Sequence, residues 1–174
     1  MADGTGSAQV RERCGELVGS LGLRAPYDRQ MFSAVLGKFL GSTVRIVPLR
    51  LPVGCASVWL GFTGVDRIGC NTGWPGHEID LTGHAIGHLV LGHCGDTRDG
   101  GQFACTVPSL SEDDRRSLSR FMHESAEGGV SRLFSDGEER AAAVYSRVLC
   151  ESLGIRRPRL GTDCSTGPQL TCLG

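Results

Sequence analysis

The sequence has no excess of either charge, with 18 Lys plus Arg against 19 Asp plus Glu. A protein that tracks a phosphate backbone carries a basic surplus, so direct nucleic-acid binding is not expected. The local cluster Arg156-Arg157-Pro158-Arg159 reads as a solvated tail rather than a binding patch. Also missing is any apolar run of membrane-spanning length, so no membrane partner is expected. The N-terminus, Met1-Ala2-Asp3-Gly4-Thr5-Gly6-Ser7, lacks the basic-then-apolar order of a secretory signal, and a cytoplasmic location is expected. The eight cysteines (Cys14, Cys55, Cys70, Cys94, Cys105, Cys150, Cys164 and Cys172) include no Cys-x-x-Cys pair. Without an export signal they read as small buried hydrophobes, not as a disulfide framework.

What is present suits one ordinary domain. The chain has 174 residues, 40% of them hydrophobic, enough for a buried core. Val10, Cys14, Leu17, Val18 and Leu21 follow helical spacing over residues 8–22, as do Met31, Phe32, Val35, Leu36 and Phe39 over 27–40, with Gly41 placed to end the second helix. Val44-Arg45-Ile46-Val47 is β-branched and alternating, which predicts a strand; 55–62 and 65–70 predict two more, with Gly61-Phe62-Thr63-Gly64 at or near their turn. After the breaker cluster at 71–76, residues 77–93 read as a helix capped by Gly95, and 96–104 as loop. A helix begins at Ser111 with Asp114 as a partial capping box, and Leu118, Phe121 and Met122 are assigned to the core. Beyond the break at Gly128-Gly129, Ser135-Asp136-Gly137-Glu138 caps a helix that runs to about Leu153. The fold class is therefore α+β: N-terminal helices, a small antiparallel or mixed sheet, then further helices. Residues 1–154 form one domain and 155–174 read as a disordered tail.

The chemistry lies in His84-Ala85-Ile86-Gly87-His88. Histidines at i and i+4 share one helix face, so both imidazoles can meet one cation. By itself such a pair is only suggestive, since surface helices carry it by chance. Glu139 is the matching third ligand: Ala142, Ser146 and Leu149 at i+3, i+7 and i+10 are small or apolar, placing Glu139 at the start of an inward face. Its neighbour Glu138 is explained as the capping partner of Ser135, and the bland alternative for Glu139 is a carboxylate favouring a helix N-terminus. His93 would point about 180° from His84 in a continuous helix, so His93 joins only if the helix breaks at Gly92; Cys94 is also off the axis of the pair. Asp80, one turn before His84, could orient a histidine ring. His77 and Glu78 have bland roles at the helix start. Tyr145 could donate a hydrogen bond to an oxyanion or simply sit in the core.

Thr82-Gly-His-Ala-Ile-Gly-His-Leu-Val-Leu-Gly-His93 resembles the zinc helix of ImmA/IrrE-type metallopeptidases, whose pattern is His-Glu-x-x-His. Glu139-x-x-Ala142-x-x-Tyr145-Ser146-x-x-Leu149 is similar to that family's second helix. The likeness covers about residues 8–153 in element order and looks closest to small actinobacterial members of toxin or regulator type. It implies a zincin-like fold, Zn²⁺ on His84, His88 and Glu139, and either a peptide or protein substrate or a regulatory pairing with a helix-turn-helix repressor. The oligomeric state is not readable.

The pattern breaks at its second position, where Ala85 stands in place of the family's glutamate. That glutamate takes the proton of the metal-bound water and passes it on; a methyl group does neither, and losing a general base costs on the order of 10²–10⁴ in rate. The expectation is a chain that binds metal but hydrolyses peptides poorly or not at all. Two explanations stand side by side: a Glu→Ala replacement made to silence an enzyme or trap its substrate, or a natural protein that is a pseudo-peptidase or uses another base. A regulatory binding module and a zincin-fold enzyme of different chemistry, for example in small-molecule biosynthesis, are the rival readings.

Overall fold

The computed structural model describes residues 4–52, 54–73, 77–93, 101–106, 111–125 and 131–156. Among these the order is α1 (Gly4–Leu21), α2 (Arg29–Leu40), β1 (Thr43–Leu49), β2 (Cys55–Phe62), β3 (Val65–Asn71), α3 (Glu78–Leu91), β4 (Gln102–Thr106), α4 (Glu112–Ser125), β5 (Ser131–Leu133) and α5 (Asp136–Ser152). The fold is α+β, with five helices and a five-stranded mixed sheet among the described residues. No described helix is long and apolar enough to cross a membrane.

The sheet order is β1-β3-β2-β4-β5, antiparallel in its centre and parallel at both edges. The β2–β3 hairpin follows from its alternating strands and the Thr63-Gly64 turn, with Phe62 opposite Val65. Period-2 alternation then divides the side chains between two faces. Val44, Ile46, Trp59, Ile68, Phe103 and Cys105 join the large core under α1, α2, α3 and α5, whereas Cys55, Val58 and Ala104 meet Leu118 and Met122 of α4 in a smaller one. Each fully buried Ile, Leu or Phe contributes about 1.5–3 kcal/mol relative to exposure.

Local signals explain the helix ends. Asp28 caps α2 by accepting from the Met31 N–H, and Gly41 closes it in the left-handed conformation at φ 66°. Ser135 and Glu138 form the full capping box of α5, and Ser111 and Asp114 bond reciprocally before α4.

Four expectations need correction. α3 stops at Leu91 rather than running through His93 to a Gly95 cap, because Gly92 adopts φ 69°, which costs glycine no Cβ clash, and its N–H turns back to the carbonyls of His88 and Leu89; Gly95 itself lies outside the described residues. The end of the expected 96–104 loop is strand β4. Phe121 is 47% exposed while Leu118 and Met122 are buried; Leu118 and Met122 sit at i and i+4 on the face that meets the sheet, and Phe121 falls to its rim. The expected tail starts too early, since Ile155 packs on the large core and its N–H bonds the Cys150 carbonyl. Residues 157–174 lie outside the described residues, as do Cys94, Cys164 and Cys172. The other five cysteines are buried thiols.

Candidate metal centre

α3 and α5 are the most extensively packed helix pair, and small residues allow it. A Cβ on Gly83 would lie 3.1 Å from a Leu149 methyl and 3.2 Å from Ser146 Oγ; one on Gly87 would lie 3.0 Å from Tyr145 Cβ and 3.1 Å from the Ala142 backbone. Ser146 completes the join by donating to Asp80, whose carboxylate is 2.6 Å and carbonyl 2.8 Å away. This close approach carries the start of α5, and Glu139 with it, against the histidines of α3.

The three residues expected to hold a metal converge. His84 Nε2 lies 2.8 Å and His88 Nε2 3.5 Å from the same oxygen, Glu139 Oε2, and the two nitrogens are 3.2 Å apart. His84, His88 and Glu139 are 7%, 0% and 4% exposed. Two ring nitrogens and a carboxylate oxygen thus face one another in a buried space, where each nitrogen either donates a proton or offers a lone pair according to its tautomer.

Their neighbours hold them in that attitude. Glu139 Oε1 accepts from the Thr106 N–H at 2.9 Å and from the Thr106 hydroxyl at 3.1 Å, which leaves Oε2 for the imidazoles. His88 Nδ1 lies 3.1 Å from His93 Nδ1. A proton on His88 Nδ1, shared with His93, leaves the Nε2 lone pair turned into the cluster, the tautomer a metal requires. Phe134 stacks on His88 with ring centroids 3.5 Å apart and fixes the ring plane. The break of α3 at Gly92 is what frees His93 to meet His88, on the side away from Glu139.

Electrostatics agree with this arrangement. Burial pushes the His88 pKa down to about 4, against smaller upward pulls from Glu139, so His88 is neutral at pH 7 and its 3.5 Å approach to Glu139 is no ion pair. Burial also lowers His93. For Glu139, burial alone would raise the pKa, but hydrogen bonding from the facing imidazoles, His84 first, outweighs it and brings the carboxyl to about 2.

A fourth donor comes from a strand that the sequence did not reveal. Cys105 of β4 is fully buried, and its sulfur and one ligand atom each of His84 and His88 all lie within 4.8 Å of one another. His84, His88 and Cys105 could therefore hold a metal ion. Imidazole and thiol donors with a carboxylate form a set that suits zinc far better than calcium or magnesium.

The remaining candidates stand apart. Ala85 is 1% exposed in the apolar core and offers no proton acceptor beside the donors. Tyr145 is fully buried, and its hydroxyl bonds none of the donors, having no hydrogen-bond partner; burial, with a smaller contribution from Cys14, raises its pKa. Glu78 pairs with Arg29, and Glu138 serves the Ser135 cap. Sequence reasoning missed Cys105, Thr106 and Phe134. For Cys105 and Thr106 the available signal was the apolar run Phe103-Ala104-Cys105 in a strand of five residues, too short to stand out beside a glycine-rich segment; Phe134 carried none. Compared with protein-family models and with curated proteins, the chain finds no match in either, so function is read from this geometry.

Proposed function

We propose that this chain is a zinc-binding, metallopeptidase-like protein of zincin type, similar to ImmA/IrrE proteins, that holds the ion through His84, His88 and Glu139 and lacks the general base for peptide hydrolysis. The observation that carries the reading is the convergence of both Nε2 atoms on Glu139 Oε2 at 2.8 and 3.5 Å, with the other oxygen of that carboxylate and the other nitrogen of His88 each engaged elsewhere. The order of elements, with the histidine helix before the carboxylate helix, supports the family likeness.

Zinc, when bound in such a site, polarises a water or a carbonyl oxygen. The chain's own contribution is to orient the donors and exclude solvent. Thr106 anchors Glu139, His93 sets the His88 tautomer, and Phe134 packs its ring. At position 85 a methyl group sits where the family's glutamate would accept a proton. Tyr145, the other candidate for a part in the chemistry, has no hydrogen-bond partner among the described residues.

Metal content measured by mass spectrometry, beside a peptidase assay, tests this reading. One zinc per chain with no peptide turnover is expected, and a chain that takes up no zinc, or that cleaves peptides as purified, contradicts it. Turnover appearing only in Ala85→Glu would identify a silenced peptidase; its continued absence would identify a binding module.

A further inference from the structure

We infer that Cys105 ligates the ion as a thiolate, so that His84, His88, Glu139 and Cys105 make a closed four-ligand centre of structural rather than hydrolytic type. This rests on the metal-binding reading above and goes beyond it, because a zincin-type hydrolytic site keeps its fourth position open for water.

Cys105 is placed for the role by the sheet. It sits on β4 directly before Thr106, the residue that anchors Glu139, so one short strand delivers both a donor and the clamp of another donor. Its sulfur lies within 4.8 Å of one ligand atom on each histidine, and Glu139 stands outside that group of three. Zn–N of about 2.0 Å and Zn–S of about 2.3 Å put tetrahedral N and S atoms about 3.5 Å apart, so Cys105 has to close on the histidines, and Glu139 on the sulfur, as the ion binds.

A second observation points the same way. Ser57 of β2 pairs directly with Cys105, so their side chains share one face of the sheet. Ser57 is fully buried, yet its hydroxyl has no hydrogen-bond partner. An orphaned buried hydroxyl costs about 1–3 kcal/mol. The structure shows no bond from that hydroxyl to the Cys105 sulfur, so a metal-bound thiolate would satisfy it only if the two side chains close on each other as the ion binds. The burial of all four donors and the methyl of Ala85 fit a centre that neither admits substrate nor needs a base.

Ligation converts the Cys105 thiol to thiolate, and the proton leaves to solvent, so each ion bound releases one proton from this residue. The thiolate also selects zinc over magnesium, calcium and manganese.

The test loads the metal-free full chain with Co²⁺ and records the thiolate-to-cobalt charge-transfer band. One Co²⁺ per chain with that band is expected. In Cys105→Ser the band should vanish while His84, His88 and Glu139 still bind the ion at least about tenfold more weakly, the low end of what losing even an outer-shell partner costs. Stoichiometric Co²⁺ without the band, or a band that survives in Cys105→Ser, overturns the Cys105 assignment and leaves the metal reading standing. No Co²⁺ uptake by the unaltered chain overturns both. X-ray absorption of the zinc-loaded chain needs no variant: one sulfur at about 2.3 Å supports the assignment, and a shell of N and O alone refutes it. A closed sphere further predicts that Ala85→Glu gains no peptidase activity.

Discussion

The two faces of the sheet bury opposite kinds of chemistry. Under α4 the core is Cys55, Val58, Ala104, Leu118 and Met122, a small apolar set whose one titratable group, the Cys55 thiol, is pushed up to about 12, by burial first and by Glu139 second. On the other face, under α3 and α5, His84 and His88 are buried beside Cys105, with Glu139 against the two imidazoles. Apolar burial explains itself through area removed from water. Burying two imidazoles, a carboxylate and a thiol together costs free energy unless something pairs with all of them. The difference teaches where to look for function: the α4 face is there to fold, and the α3–α5 face keeps polar groups that folding alone would have replaced with leucine.

Substitutions can break that contrast. Met122→Ala on the α4 face should cost about 2–5 kcal/mol of stability yet leave the metal stoichiometry unchanged; thermal melts and metal analysis on one sample read both. Acidification should act on the other face alone. His88 has a folded pKa near 4 against an ordinary 6.5, so the unfolded chain binds the proton more readily between these values. Stability of the metal-free protein therefore falls as pH drops from about 6.5 to about 4. Glu139, at about 2 against 4.5, contributes stability present above pH 4.5 and lost as pH falls from there toward 2. Denaturant melts across pH 7 to 3 check this, and His88→Phe should flatten the upper window. Gly87→Ala, which drives a Cβ to 3.1 Å from the Ala142 backbone, should cost about 1–3 kcal/mol by overpacking and weaken metal binding, because α5 must shift and take Glu139 with it. Equal affinity in that variant would mean that helix approach does not position the carboxylate. The smallest effect belongs to Phe121→Ser, which removes a rim side chain 47% exposed and should change stability by no more than about 0.5 kcal/mol.

Much of the α3–α5 face was legible in the sequence because helical periodicity is a local signal. Glu139, Ala142, Ser146 and Leu149 are all buried, as their spacing required. The histidine spacing placed His84 and His88 side by side. The far side of the cluster was not legible. Cys105 and Thr106 reach the site through cross-strand pairing of β4 with β2, a nonlocal contact, and five residues of Gln-Phe-Ala-Cys-Thr carry too little alternation to reveal a strand. β5, three residues long, escaped for the same reason. The role of His93 turned on a single glycine: a helix continuing through Gly92 would have carried its ring away, and the left-handed turn there brings it to His88 instead.

The most direct test of the central claim is zinc content of the purified chain beside His84→Ala/His88→Ala, with both shown to be folded by circular dichroism. One zinc per chain in the first and none in the second is the predicted result, with loss of about 4 kcal/mol of metal-conferred stability where free zinc stands a thousandfold above the dissociation constant. Equal zinc in both, or none in either, would contradict the claim that these histidines form a metal centre.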